Sequence, residues 1–207
     1  MRAHAARLGP DWQRVSQDWR AKHLEYTWVR SLTGPALHRD FWRLAQEALA
    51  VVAARHGIAD AALLADVLRS YRRLDAFPEV PETLRGLRAK GIARAILSNG
   101  EPAMLAEAAR AAGIADLLDD ILSVESVGVY KPDPRVYRLA SERFGVPAAE
   151  VAFFSSNPWD AFGARSFGFR VFWVNRVGQP DEYGLRGGVT ELRDLRDLPL
   201  ERLEKQA

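Results

Sequence analysis

An α/β fold built on a parallel sheet, with a small helical lobe in front of it, is predicted by three features of the sequence. Residues 1–75 carry apolar side chains at helical spacing and show no strand pattern. From Phe77 onward, short apolar runs ending in polar turns alternate with amphipathic stretches, the order of a parallel sheet with right-handed crossovers. Three of the strand–loop units end in polar clusters, and open parallel sheets bind ligands at the carboxyl ends of their strands. Pro78 and Pro81 mark the boundary, which divides the chain into a helical lobe at 1–76 and a parallel-sheet core at 77–207.

In the first part, Leu24, Trp28 and Leu32 lie one turn apart, with Glu25 and Arg30 on other faces, and Gly34-Pro35 stops that helix. Phe41, Leu44, Ala48, Val51 and Val52 make the next amphipathic stripe, ended by Gly57. Asp60 caps a third helix carrying Leu63, Leu64, Val67, Leu68 and Tyr71. In the second part, a helix with Leu84 and Leu87 runs to Gly91 and into a strand ending at Ser98. A helix over 102–112 follows, with Pro in its first turn and Gly113 at its end. Asp120 to Val124 is a short strand, 127–134 a loop holding Lys131, and Arg135 to Phe144 a helix closed by Gly145. Glu150 to Ser155 is a buried strand, Trp159 to Phe167 a helix and Phe169 to Val174 another strand. From Leu192 the tail alternates leucine with charge and reads as a final helix or loop.

Composition excludes several classes of function. The net charge over 207 residues is +2, without a long basic run, so nothing suggests a nucleic-acid partner. Cysteine is absent, which rules out disulfides, thiolate metal sites and a cysteine nucleophile and suits a reducing cytoplasm. No apolar run reaches membrane-spanning length, and Met1 to Arg7 has no apolar core of a signal peptide.

The polar clusters are Ser98-Asn99-Gly100, Tyr130-Lys131-Pro132-Asp133-Pro134 with Tyr137 shortly after, and Ser155-Ser156-Asn157-Pro158-Trp159-Asp160. Singly, each has a plain reading. Asn99-Gly100 is a turn and Ser98 a cap; Lys131 is a solvated charge; Asp160 caps a helix.

As an ordered set, these stretches resemble the second, third and fourth motifs of the haloacid dehalogenase superfamily. Trp19-Arg20-Ala21-Lys22-His23-Leu24-Glu25-Tyr26-Thr27-Trp28 is similar, more narrowly, to a segment of the type II (S)-2-haloacid dehalogenases. The likeness runs from about Asp18 to Val177 and implies a Rossmann-like parallel core with a helical cap. It implies hydrolytic loss of halide from a short (S)-2-haloacid to give the (R)-2-hydroxy acid. By the same resemblance, Ser98 and Asn99 hold the substrate carboxylate and Arg20 takes the departing halide, a role that suits an always-charged, weakly hydrated guanidinium. Lys131 neutralises a nucleophilic carboxylate, and Tyr137 hydrogen-bonds within the site. Ser155, Asn157 and Asp160 order the nucleophile, the lysine and the water. Leu24, Phe41 and Trp159 wall an apolar pocket, although plain core packing serves Leu24 and Phe41 equally well. Phosphatases of the superfamily place paired acids in the fourth motif for Mg²⁺. Ser155 and Asn157 stand there instead, so no metal and no cofactor are expected. A homodimer is expected by resemblance.

One family element has no counterpart in these residues. The family's first strand ends in an aspartate nucleophile within an Asp-x-Tyr-Gly-Thr pattern, and Asp11 and Asp18 stand in helical context instead. Without such a carboxylate the covalent ester step has no nucleophile, so the chain as written is expected to be inactive, and its central sheet to lack the strand between those ending at Ser98 and Ser155. Two rivals stay open: a non-enzymatic remnant, and a phosphatase of the same superfamily, which a magnesium requirement would reveal.

Overall fold

The structure is a computed structural model that describes residues 1–34, 38–199 and 203. It is a mixed α/β chain with two compact units. The first unit comprises Met1–Asp75, Ser98–Gly113 and Ser123–Tyr130; the second comprises Ala76–Leu97, Ile114–Leu122 and Lys131–Ala207.

The first unit is helical. A 3-10 turn at Arg2–His4 leads to α1 (Ala5–Leu8), α2 (Trp12–Thr33), α3 (Phe41–Arg55) and α4 (Ala61–Tyr71), and α6 (Pro102–Ala111) belongs to the same unit. Asp40 and Asp60 cap α3 and α4, their carboxylates accepting from the N–H groups of Arg43 at 2.7 Å and Leu63 at 2.9 Å. Val15, Trp19, Ala45, Ala48, Leu49, Val52, Leu63 and Val67 form its core. The Trp19 indole N–H donates to the Ala45 carbonyl at 2.9 Å, so its polar edge is satisfied inside an apolar cluster.

The buried stripe of α2 differs from the predicted one. It is Val15, Trp19, His23 and Thr27, while Leu32 is 87% exposed and Leu24 and Trp28 are half-buried. The two polar members can be buried because each is bonded: His23 Nε2 lies 3.0 Å from the Phe41 carbonyl, and Thr27 Oγ1 donates to the Leu24 carbonyl at 2.7 Å. Apolar spacing alone therefore pointed to a neighbouring face. Gly34 ends α2 as predicted, while Pro35 lies outside the described residues.

In the second unit, α5 (Val80–Ala89) precedes β1 (Ala95–Ser98), which pairs with β2 (Asp120–Ser123). After α7 (Pro134–Phe144) come β3 (Ala152–Ser155), α8 (Pro158–Phe167), β4 (Arg170–Val174) and β5 (Thr190–Leu192). The last three strands form a parallel sheet in which Phe153 faces Val171 and Trp173 faces Glu191. Among the described residues, β1 and β3 fall in two different sheets and do not pair. Gly145 ends α7 in the left-handed conformation, with φ of 62°, which glycine adopts without strain. Among the described residues, the tail after Leu192 is loop with a 3-10 turn at Leu195–Asp197, as predicted, while the strand just before it has no counterpart in the sequence reading. A three-residue strand offers only Thr190-Glu191-Leu192 as pattern, too little to show a period, and its identity comes from pairing with β4.

Tyr137, Ala140, Phe153, Ala161, Ala164, Phe169, Val171, Trp173 and Leu185 make the main core of this unit, with Leu97 and Leu122 packed against it. A smaller cluster of Leu87, Phe172, Leu192, Leu198 and Leu203 covers the other side of β4. Neighbouring positions of β4 serve different clusters because successive strand side chains point to opposite faces.

Candidate active site

Five predicted residues of the second unit form one bonded cluster. Ser155 ends β3, Asn157 occupies the N-cap position of α8 and Asp160 sits in that helix's first turn after Pro158. Lys131 lies in the loop before α7, and Tyr137 lies on α7. The carboxylate of Asp160 is the hub. Its Oδ1 accepts from the Tyr137 hydroxyl at 2.9 Å. Its Oδ2 accepts from Ser155 Oγ at 2.8 Å and from Lys131 Nζ at 3.2 Å. The Asn157 backbone N–H donates to Ser155 Oγ at 3.2 Å. Lys131 Nζ also donates to the Leu97 carbonyl on β1 at 2.8 Å and stands 4.7 Å from the ring centre of Phe153 on β3. The lysine thus reaches both strands that belong to different sheets.

Burial makes these contacts strong. Lys131 and Asp160 are each 5% exposed and Tyr137 is fully buried. Burial pulls the Lys131 ammonium below its ordinary pKa, and the charge and bond of Asp160 pull it back. Burial, with the adjacent Asp160 carboxylate second, drives the Tyr137 phenol far up, so it is a donor at any accessible pH. A carboxylate engaged by three side-chain donors is an orienting group, and the buried ammonium it holds is a fixed positive charge that stabilises an anion beside it.

The helix α8 leaves room for this through one glycine. A Cβ on Gly163 would stand 2.5 Å from the Tyr137 hydroxyl oxygen and 2.7 Å from Pro132 Cβ. Trp159, adjacent to Asp160 on α8, is half-buried.

The other predicted residues belong to the first unit. Ser98 ends β1, and Asn99, 8% exposed, follows it. Ser98 Oγ accepts from the Gly100 N–H at 3.1 Å, and the Gly100 carbonyl accepts from Ser123 Oγ at 2.7 Å. The hydroxyl of Ser98 therefore closes the turn, and the N-cap position of α6 belongs to Glu101. Arg20 is exposed and Leu24 half-buried, both on α2. Phe41 starts α3, buried, with the His23 ring 4.0 Å from its own, centre to centre. Burial lowers His23 to a pKa of about 4; its bond with the Phe41 carbonyl works the other way, and the charge of Arg20 adds to the lowering.

Two participants in the cluster, the Leu97 carbonyl and Gly163, and one buried group of the first unit, His23, were not among the predicted residues. The Leu97 carbonyl is a backbone acceptor, which no residue type announces. His23 lies inside the segment that carried the resemblance, and its spacing on the Trp19 stripe was the available signal. Gly163 is a glycine inside a helix, a recognised sign of close packing.

Residues 3–168 match the model of the haloacid dehalogenase-like hydrolases. The chain is 41% identical over 197 residues to the (S)-2-haloacid dehalogenase 1 of Pseudomonas sp. strain CBS-3, covering 95% of this chain and 86% of that protein. A solved dehalogenase superimposes with a TM-score of 0.92 at 37% identity, over 98% of this chain and 89% of the other. The L-2-haloacid dehalogenase of Xanthobacter autotrophicus, solved with chloropropionic acid covalently bound, gives a TM-score of 0.84 at 35% identity, over 93% and 87% of the two chains.

Proposed function

This chain belongs to the haloacid dehalogenase-like hydrolases, and we propose that its reaction is the hydrolytic removal of halide from a short (S)-2-haloacid, giving the 2-hydroxy acid of inverted configuration. The observation that carries this reading is the buried cluster in which Asp160 binds Tyr137, Ser155 and Lys131 at once. Phosphoryl transfer needs anionic oxygens turned toward a metal. Here the fourth-motif carboxylate is committed to three protein donors, and its neighbours are Ser155 and Asn157.

The reaction has two steps. A carboxylate oxygen attacks carbon 2 of the haloacid, forms a C–O bond and expels halide with the bonding electrons. Water then attacks the carbonyl carbon of the resulting ester, and the 2-hydroxy acid leaves as the carboxylate is regenerated. Lys131, held by Asp160 and the Leu97 carbonyl, is the cation beside that nucleophile. Tyr137, Ser155 and Asn157 keep Asp160 and the lysine in register. Ser98 and Asn99 take the substrate carboxylate, and Arg20 receives the halide. Leu24, Phe41 and Trp159 supply apolar wall for the carbon–halogen bond. The helical cap of 1–76 and the core of 77–207 are the functional halves of this reading. It also includes a homodimer, supported by the exposed Val29 and Leu32 one turn apart on α2, and a cytoplasmic protein whose partner is the small haloacid.

The nucleophilic carboxylate is not among the residues of the cluster, and the test follows from that. Halide release from (S)-2-chloropropionate is compared for the 207-residue chain and for the same chain carrying an added Asp-x-Tyr-Gly-Thr strand. The expected result is activity only with the strand, lost again on Lys131→Met. Equal turnover by both chains would show that another group is the nucleophile.

A further inference from the structure

The Ser98-Asn99-Gly100 turn has a neighbour that carries a negative charge, and the fold handles that charge in a specific way. Glu101 follows the turn directly and occupies the N-cap position of α6, yet its side chain takes no hydrogen bond from its own helix. It turns instead to Arg72, at the C-cap of α4, whose Nη2 donates to Glu101 Oε1 at 2.9 Å. The same guanidinium lies 4.0 Å above the centre of the Trp42 ring, with Nη1 3.7 Å from Glu107 Oε2 on α6. A planar guanidinium can stack on an indole face while its edge N–H groups meet a carboxylate. The pair is also sheltered: the Arg72 and Glu101 side chains are 27% and 23% exposed. The turn itself has little slack, since Ser123 Oγ holds the Gly100 carbonyl at 2.7 Å and a Cβ on Gly100 would stand 2.7 Å from Leu105 Cδ2.

We propose that Arg72 is a specificity-determining positioning residue for the anionic substrate: seated on Trp42, it draws the Glu101 carboxylate away from the Ser98-Asn99 turn and cancels its charge. This rests on the reading that the turn takes the substrate carboxylate. A bare glutamate two residues from Asn99 would repel a carboxylate ligand, because like charges inside a Debye length of about 10 Å are felt strongly when partly buried. With Arg72 in place, the turn can accept an acid although an acid adjoins it.

The test is equilibrium binding of (S)-2-chloropropionate to the 207-residue chain at low salt, followed by ligand-detected NMR, with 2-chloropropionamide as the uncharged probe. Arg72→Gln should weaken binding of the acid roughly tenfold at low salt and less at high salt, and leave the amide within about twofold. Arg72→Gln with Glu101→Gln should restore the acid to near the wild-type affinity. Arg72→Lys, which keeps the charge, should stay within about threefold and covers the case in which Arg72→Gln does not fold. Unchanged binding in Arg72→Gln, or a double variant as weak as the single, would overturn the inference while leaving the substrate reading intact. A wild-type chain that binds neither probe would overturn the substrate reading and this inference with it.

Discussion

Gly163→Ala adds one methyl group to a helix and should nonetheless destabilise the protein. Alanine is the better helix former by about 1 kcal/mol, so on local grounds the change stabilises. The contacts decide otherwise. The new Cβ would stand 2.5 Å from the Tyr137 oxygen, 3.1 Å from its Cζ and 2.7 Å from Pro132 Cβ. Tyr137 is fully buried and packed against Phe153 at 5.8 Å, Phe169 at 5.9 Å and Phe167 at 6.1 Å, centre to centre, so its ring has nowhere to go. Overpacking costs about 1–3 kcal/mol. Displacing the hydroxyl from Asp160, now 2.9 Å away, forfeits a bond to a charged group that contributes about 1.5–3 kcal/mol. Set against the helix gain, the net expectation is a loss of about 1.5–5 kcal/mol. Urea unfolding should show a lower midpoint with an unchanged slope. Tyr137→Phe removes the closest contact, so the double variant Gly163→Ala/Tyr137→Phe should be more stable than the sum of the single losses by about 1 kcal/mol or more. A Gly163→Ala protein as stable as the wild type, or one whose loss simply adds to that of Tyr137→Phe, would refute the packing argument.

Two further outcomes follow from buried charge. His23 is neutral when folded, with a pKa of about 4 against 6.5 when unfolded, so the unfolded chain binds the extra proton as pH falls. The folded state keeps its full advantage above pH 6.5 and loses it toward pH 4, about 2 kcal/mol by pH 5. The urea midpoint should drop more between pH 7.5 and pH 5 for the wild type than for His23→Gln, and equal drops would exclude His23 as the source. Asp160→Asn leaves the buried Lys131 ammonium without its countercharge and should cost about 3 kcal/mol or more at pH 7. Because burial already holds Lys131 below its ordinary pKa, deprotonation should relieve the penalty, and the variant should recover part of its loss by pH 9.5; an unfolding curve that overlays the wild type at pH 7 would count against the pairing.

What the sequence determined by itself was everything encoded by neighbours along the chain. Strand ends at Ser98 and Ser155 were visible because apolar runs stop there at polar turn residues. The caps at Asp60 and Gly145 were visible because capping needs particular side chains at particular positions, and they stand where expected. The order of Ser98-Asn99, Lys131 and Ser155-Ser156-Asn157-Pro158-Trp159-Asp160 carried the family, since motif order survives without any coordinates. Tertiary structure alone decided who meets whom. The Leu97 carbonyl is an acceptor for Lys131 only because the loop before α7 returns 34 residues later to the end of β1. Thr190 to Leu192 become a strand only through β4. The buried face of α2 is set by what α3 offers: a Phe41 carbonyl for His23 and an Ala45 carbonyl for Trp19. A polar side chain can be buried wherever a distant partner satisfies it, and no local pattern of hydrophobicity records where that partner will be.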